Sequence, residues 1–104
     1  MAYKIIISEL AKKSLNENLD YLANRWNTKV TQQFLDKVDI IVKLISNNPD
    51  LFIAVDFNNH SYYKVVITKH VTLYYSVDEN YIKLELFWNN YKNPKALKRI
   101  LLRE

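Results

Sequence analysis

The sequence predicts an α+β domain: an N-terminal strand, an antiparallel helical hairpin, a three-stranded antiparallel meander and a short C-terminal helix. Three observations carry this. Two apolar stripes at helical spacing occupy residues 11 to 45. Three strand-like runs with hairpin-length breaks occupy residues 62 to 88. A proline then opens a last helical pattern, "PKALKRILLRE". The helices are expected on one side of a mostly antiparallel sheet, with its other face partly open.

Residues 3–7, "YKIII", are aromatic and β-branched, which suits a short strand. Being far in sequence from the other strands, it must join the sheet at an edge or in the middle. Ser8 can cap a helix, its hydroxyl reaching the free amides of the first turn. Ala11, Leu15, Leu19, Leu22 and Trp26 then form one apolar stripe. Asn27 and Thr28 interrupt the pattern and can cap a second helix. Its stripe is Val30, Phe34, Val38, Ile41 and Ile45, widened by Leu35 and Val42, and Asn47-Asn48-Pro49 stops it.

Residues 51–60, "LFIAVDFNNH", read as irregular, apolar but bounded by turn residues. "YYKVVIT" (62–68), "VTLYYSV" (71–77) and "YIKLELFW" (81–88) are the strands, and "KH" and "DEN" are the breaks. In the last run, period-2 alternation predicts Ile82, Leu84, Leu86 and Trp88 on one face, with Lys83, Glu85 and Phe87 on the other. Asn93 can cap the final helix and Pro94 start it.

The 104 residues suit one domain spanning 1–104, large enough to fold around its own core. Cysteine is absent, which removes disulfides, thiolate metal sites and cysteine nucleophiles and fits a reducing compartment. Glycine is absent too, so the phosphate-cradling loops that need it are excluded, and hairpin turns must use Asn, Asp or Lys. With only His60 and His70 to offer imidazole, neither a metal site nor a cofactor is expected. No apolar run approaches the roughly 20 residues of a membrane span. The expectation is a cytoplasmic protein.

The net charge of +4 is unevenly spread. Residues 1–59 hold seven basic and seven acidic side chains, whereas residues 60–104 hold eight and four. A basic C-terminal half suits phosphate backbones or an acidic protein surface.

Paired carboxylates offer little. Asp78 and Glu79 fit a solvated hairpin tip, and Glu85 beside Lys83 fits cross-strand pairing. The basic and phenolic residues offer more. In-line cleavage of RNA needs a base, a cation for the phosphorane and an acid for the leaving oxygen, and Lys, Tyr and His supply these without metal. The sheet region contains Lys64, Lys69, His70, Tyr74, Tyr75, Tyr91 and Lys92, with Tyr62, Tyr63 and Tyr81 as aromatic surface. Tyr74 and Tyr75 must point to opposite faces.

The ordered series "ISELAKKSLNENLDYLANRWNTKVTQQFLDKV", "ISNNPDLF", "YYKVVITKHVTLYYSV" and "LFWNNYKNP" resembles the RelE/ParE superfamily, the toxins of type II toxin–antitoxin modules, also described as plasmid stabilisation proteins. The resemblance covers about residues 3 to 97. It implies a microbial-RNase-like sheet beside a helical hairpin, and a cognate antitoxin that wraps the toxin. It also implies growth inhibition through translation, by ribosome-dependent mRNA cleavage. The alternatives are ParE-like inhibition of DNA gyrase without catalysis, or a member that only binds its antitoxin. The target is thus the ribosome with its mRNA, or gyrase.

Where related sequences often carry arginine, this chain holds Tyr63, Ser76 and Tyr91. A metal-independent endoribonuclease here would rest on Lys64, Lys69 and Tyr91 as catalysts, with Lys64, Lys69, His70, Tyr75 and Lys92 on nucleic acid. Arginine's bidentate fork is missing from that set.

Overall fold

A computed structural model describes residues 2–102. The elements run β1 (Lys4–Ile7), α1 (Glu9–Arg25), α2 (Thr28–Asn47), β2 (Ile53–Phe57), β3 (His60–Thr68), β4 (Val71–Val77), β5 (Tyr81–Asn89) and α3 (Pro94–Leu101). The five strands form one sheet in the order β1-β5-β4-β3-β2. β1 lies at an edge and pairs parallel to β5, from Lys4 opposite Tyr81 to Ile7 opposite Leu84. The other pairings are antiparallel.

The caps are those the sequence offers. Ser8 accepts from the Ala11 amide at 2.9 Å, Asn27 from the Val30 amide at 2.9 Å and Asn93 from the Lys95 amide at 3.0 Å. The two predicted stripes face the sheet. Ala11, Leu22, Phe34 and Ile45 are buried with Val65, Leu73, Tyr75, Ile82, Leu84 and Phe87. Trp26 departs from its stripe: it is the C-cap of α1, and the residue is 46% exposed.

The irregular stretch at 51–60 contains a strand. β2 pairs with β3 through a two-residue turn, Asn58-Asn59, with φ of 48° and 68°. Positive φ at both central residues is the type I′ geometry that joins twisted strands, and asparagine tolerates it in place of the missing glycine. The meander therefore has four strands.

The alternation along β5 is broken by a bulge. Tyr74 faces Leu86 while Tyr75 faces Leu84, so Glu85 is one residue too many. The extra residue reverses the side chains beyond it. Ile82 and Leu84 face the helical hairpin, whereas Leu86 and Trp88 turn to the other side and Phe87 replaces them in the main core. Leu86 and Trp88 pack there with Tyr62, Tyr74, Leu97 and Leu101. This second cluster seats α3 on the face opposite α1 and α2, so the helices occupy both faces instead of one.

β1 is short and leaves the outer edge of β5 unpaired beyond Leu84. Side chains of α1 and its cap take over. Ser8 Oγ donates to the Glu85 carbonyl at 3.1 Å, the Phe87 amide donates to Ser14 Oγ at 3.0 Å, and Asn18 Nδ2 donates to the Phe87 carbonyl at 2.9 Å. Ser8, Ser14 and Asn18 are all buried, as polar groups can be when they satisfy a strand edge.

Candidate functional site

The final strand ends in "NNYKNP", and its asparagines fasten it to the β3–β4 turn. The Asn90 amide donates to the His70 carbonyl at 2.8 Å, and Asn90 Nδ2 donates to the Lys69 carbonyl at 3.2 Å. Thr72 Oγ1 donates to Asn90 Oδ1 at 2.9 Å, and the Tyr91 amide donates to Asn89 Oδ1 at 2.8 Å. The stretch is thus a hinge that carries the chain towards α3. It also delivers Tyr91 beside His70, and Lys92 into the cleft that Tyr91 and Trp26 line.

The C-terminal end of α1 completes this corner. The Trp26 ring centroid is 5.2 Å from His70, His70 is 5.6 Å from Tyr91, and Tyr91 is 6.2 Å from Tyr21. Lys69 Nζ stands 5.9 Å from the Trp26 centroid, within reach of a cation–π contact. Tyr21, Arg25, Trp26, Asn89, Tyr91 and Lys92 line a cleft of about 540 Å³. Trp26 and Tyr91 remain 46% and 57% exposed. Arg25, Lys69 and Lys92 join none of the ion pairs among the described residues, which are Lys12–Glu9, Lys43–Asp39 and Lys83–Glu85.

His70 is buried although it lies in the turn between β3 and β4. Trp26 and Tyr91 flank it. Its Nδ1 has no hydrogen-bond partner among the described residues. Burial first, and the neighbouring Lys69 charge second, hold its imidazole below the ordinary histidine range.

Lys64 lies elsewhere. It sits mid-strand opposite Tyr74 and Ile53, on the α3 face of the sheet. It is five residues from Lys69, roughly 16 Å along an extended chain. Lys69 and Tyr91 pack with residues of α1, which covers the other face. The fold therefore brings Lys69, His70, Tyr91 and Lys92 together and leaves Lys64 apart.

Tyr75 is not available to nucleic acid. It is fully buried under the helical hairpin, its hydroxyl donates to the Pro49 carbonyl at 2.9 Å, and its ring stacks on Tyr63 at 5.4 Å. Burial, with Tyr63 and Asp50 nearby, raises its pKa far above that of free tyrosine. Its place in the core follows from strand parity: Tyr74 takes the α3 face, so Tyr75 takes the other.

A second polar group lies at the β5 bulge, on the same face of the sheet as Lys64. Ser76 Oγ donates to Glu85 Oε2 at 2.6 Å, and Lys83 Nζ is 3.9 Å from Glu85 Oε1. Burial, and then the Glu85 charge, raise the Tyr62 pKa. Sequence spacing placed Glu85 among cross-strand pairs and gave no sign of the bulge. It likewise gave Trp26 to a core stripe. The one available signal was its position at the break before Asn27, where a helix ends and a ring can turn outward.

The model of the ParE toxin of the type II toxin–antitoxin system parDE matches residues 5–86. The chain belongs to the ParE toxin family. The match runs from β1 to Leu86 and includes Trp26, Lys69 and His70, while Tyr91, Lys92 and α3 lie beyond it. Among solved structures, the fold is shared with YoeB from Staphylococcus aureus, described as a dimer, at 23% identity and a TM-score of 0.62. That similarity covers 88% of this chain and 100% of the YoeB chain. No curated protein matches the sequence. The family is that of toxins, and the fold is the α+β arrangement expected from the sequence, with its mixed sheet.

Proposed function

We propose that this ParE-family toxin arrests growth by binding a protein of DNA replication, DNA gyrase being the target the family implies, and that a cognate antitoxin neutralises it. The observation that carries this reading is the corner at Trp26, His70 and Tyr91. Two large aromatic side chains stand exposed there beside Arg25, Lys69 and Lys92. Trp, Tyr and Arg are the residues that dominate binding energy at protein interfaces, and three cations that join no ion pair among the described residues suit an acidic partner surface. The separation of Lys64 from Lys69 and Tyr91 weighs against one catalytic centre built from all three. The test is a supercoiling reaction with purified gyrase, toxin and DNA. Inhibition is expected, relieved by the antitoxin encoded beside the toxin and lost in Trp26→Ala. Gyrase that is unaffected by excess toxin contradicts the reading.

The polar group at the β5 bulge favours a second reading, metal-independent RNA cleavage on the α3 face. Glu85 would take the 2′-hydroxyl proton, Lys64 or Lys83 would stabilise the phosphorane, and the Tyr62 phenol would protonate the leaving oxygen. A phenol keeps its proton at neutral pH without any shift, and the raised Tyr62 pKa makes it a weaker acid for this step. Ribosome-bound mRNA that is cut by the wild type and left whole by Glu85→Gln would support it. Either action needs a cytoplasmic setting.

A further inference from the structure

We infer that the free edge of β2 pairs with the same edge of a second copy of the chain, joining two five-stranded sheets across a two-fold axis at Val55. The β2–β3 turn fixes which backbone groups are free. Phe57 and His60 flank the two-residue turn, so Phe57 bonds to β3 through its amide and carbonyl. Backbone direction alternates along a strand, so Val55 and Ile53 also point to β3, and Ala54 and Asp56 point outward. β2 is the last strand of the sheet, so among the described residues these outward groups have no strand partner.

The strand shows little of the usual protection of an edge. Its five residues, IAVDF, include no proline and no lysine, and Ile53 is 64% exposed. Leu51 and Val66, 52% and 61% exposed, extend the apolar fringe around its start.

The occupant follows from the alternate residues Ile53, Val55 and Phe57, which are apolar whichever way the strand is read. With Val55 facing Val55 of the second copy, Ala54 of each copy lies opposite Asp56 of the other. Those two pairs exchange the outward amides and carbonyls, and Val55 forms the non-bonded pair between them. On the α3 face Ile53 then lies opposite Phe57 of the second copy, so every cross-strand pair there is apolar. Asp56, which already accepts from Ser61 Oγ at 3.0 Å, meets alanine and no like charge. An axis at Asp56 would set two carboxylates against each other, which excludes that register. A two-fold axis makes the contact self-complementary and closed.

The test is sedimentation of the full chain over a concentration series, with hydrogen exchange on the same samples. The mass should rise from one chain to two, with the Ala54 and Asp56 amides exchanging at least tenfold more slowly in the concentrated sample. Ala54→Pro removes an outward donor while leaving the bonds to β3 intact, as edge strands permit. It should sediment as one chain with an unchanged circular dichroism spectrum. A wild type that stays monomeric throughout overturns the inference. So does a dimer whose Ala54 and Asp56 amides exchange as fast as in the monomer, because another face then makes the contact. The hydrogen-exchange result stands even if Ala54→Pro fails to fold.

Discussion

Replacing Asn18 by alanine tests the arrangement on which the site rests, the use of α1 side chains where β1 stops short along the β5 edge. Asn18 Nδ2 donates to the Phe87 carbonyl at 2.9 Å and to the Ser14 carbonyl at 2.8 Å, and the residue is 3% exposed. Truncation leaves the Phe87 carbonyl buried without a partner, which costs about 1–3 kcal/mol. The Ser14 carbonyl keeps its helical bond, so its loss adds little. Against this, Asn18 Oδ1 is itself buried without a partner among the described residues, and deleting it returns part of the cost. The net destabilisation is about 1–2 kcal/mol, or a fall of roughly 5–9 °C in Tm for a domain of this size. Thermal unfolding followed by circular dichroism reads it directly. Ser14→Ala, which strands the Phe87 amide, should be coupled to Asn18→Ala in a double-mutant cycle, because both act on one residue. A Tm within about 1 °C of wild type for Asn18→Ala would refute the idea that this side chain closes the β5 edge.

Other expectations follow from the same geometry. Tyr75→Phe removes the bond to the Pro49 carbonyl and should cost about 1 kcal/mol in thermal unfolding, without changing growth arrest. His70 should make stability depend on pH. Its folded pKa lies below the unfolded value of about 6.5, so unfolding takes up a proton between the two values. The full contribution is present above the unfolded value, declines as pH falls through the window and then levels off. Melts at pH 7.5 and 5.5 should therefore differ less for His70→Gln than for wild type. Lys64→Ala should still arrest growth, whereas Trp26→Ala should not, with near-normal folding in both, as checked by plating after induction. Adding the antitoxin at a hundred times its Kd should stabilise the toxin by about 2.7 kcal/mol, read as a rise in Tm.

Much of the fold was legible because local chemistry and global pattern agree. Ser8, Asn27 and Asn93 are caps both by residue type and by position. The stripes from Ala11 to Leu22 and from Val30 to Ile45 have one period and one destination, the sheet. What could not be read depends on pairing between distant segments. The bulge at Glu85 exists only relative to β4, and it reverses Leu86 and Trp88 without any change in their alternation. The β2 strand was hidden because Asn58-Asn59 looks like loop composition until both residues adopt positive φ.

The site was half legible for the same reason. Lys69, His70, Tyr91 and Lys92 were visible as basic and aromatic residues, and two chain reversals bring them together. Grouping Lys64 with them ignored the face it occupies, which strand parity sets relative to Tyr74. Trp26 was assigned by periodicity to the core. A helix that ends one residue earlier frees it to face His70.

The most direct test of the proposed mode of action is pulse labelling in the first minutes after tightly controlled induction in a bacterial host, with thymidine and amino-acid incorporation followed side by side. The account predicts that thymidine incorporation falls first while amino-acid incorporation continues, and that Trp26→Ala abolishes the effect. An immediate collapse of amino-acid incorporation, ahead of any fall in thymidine, would contradict it and place the action at the ribosome.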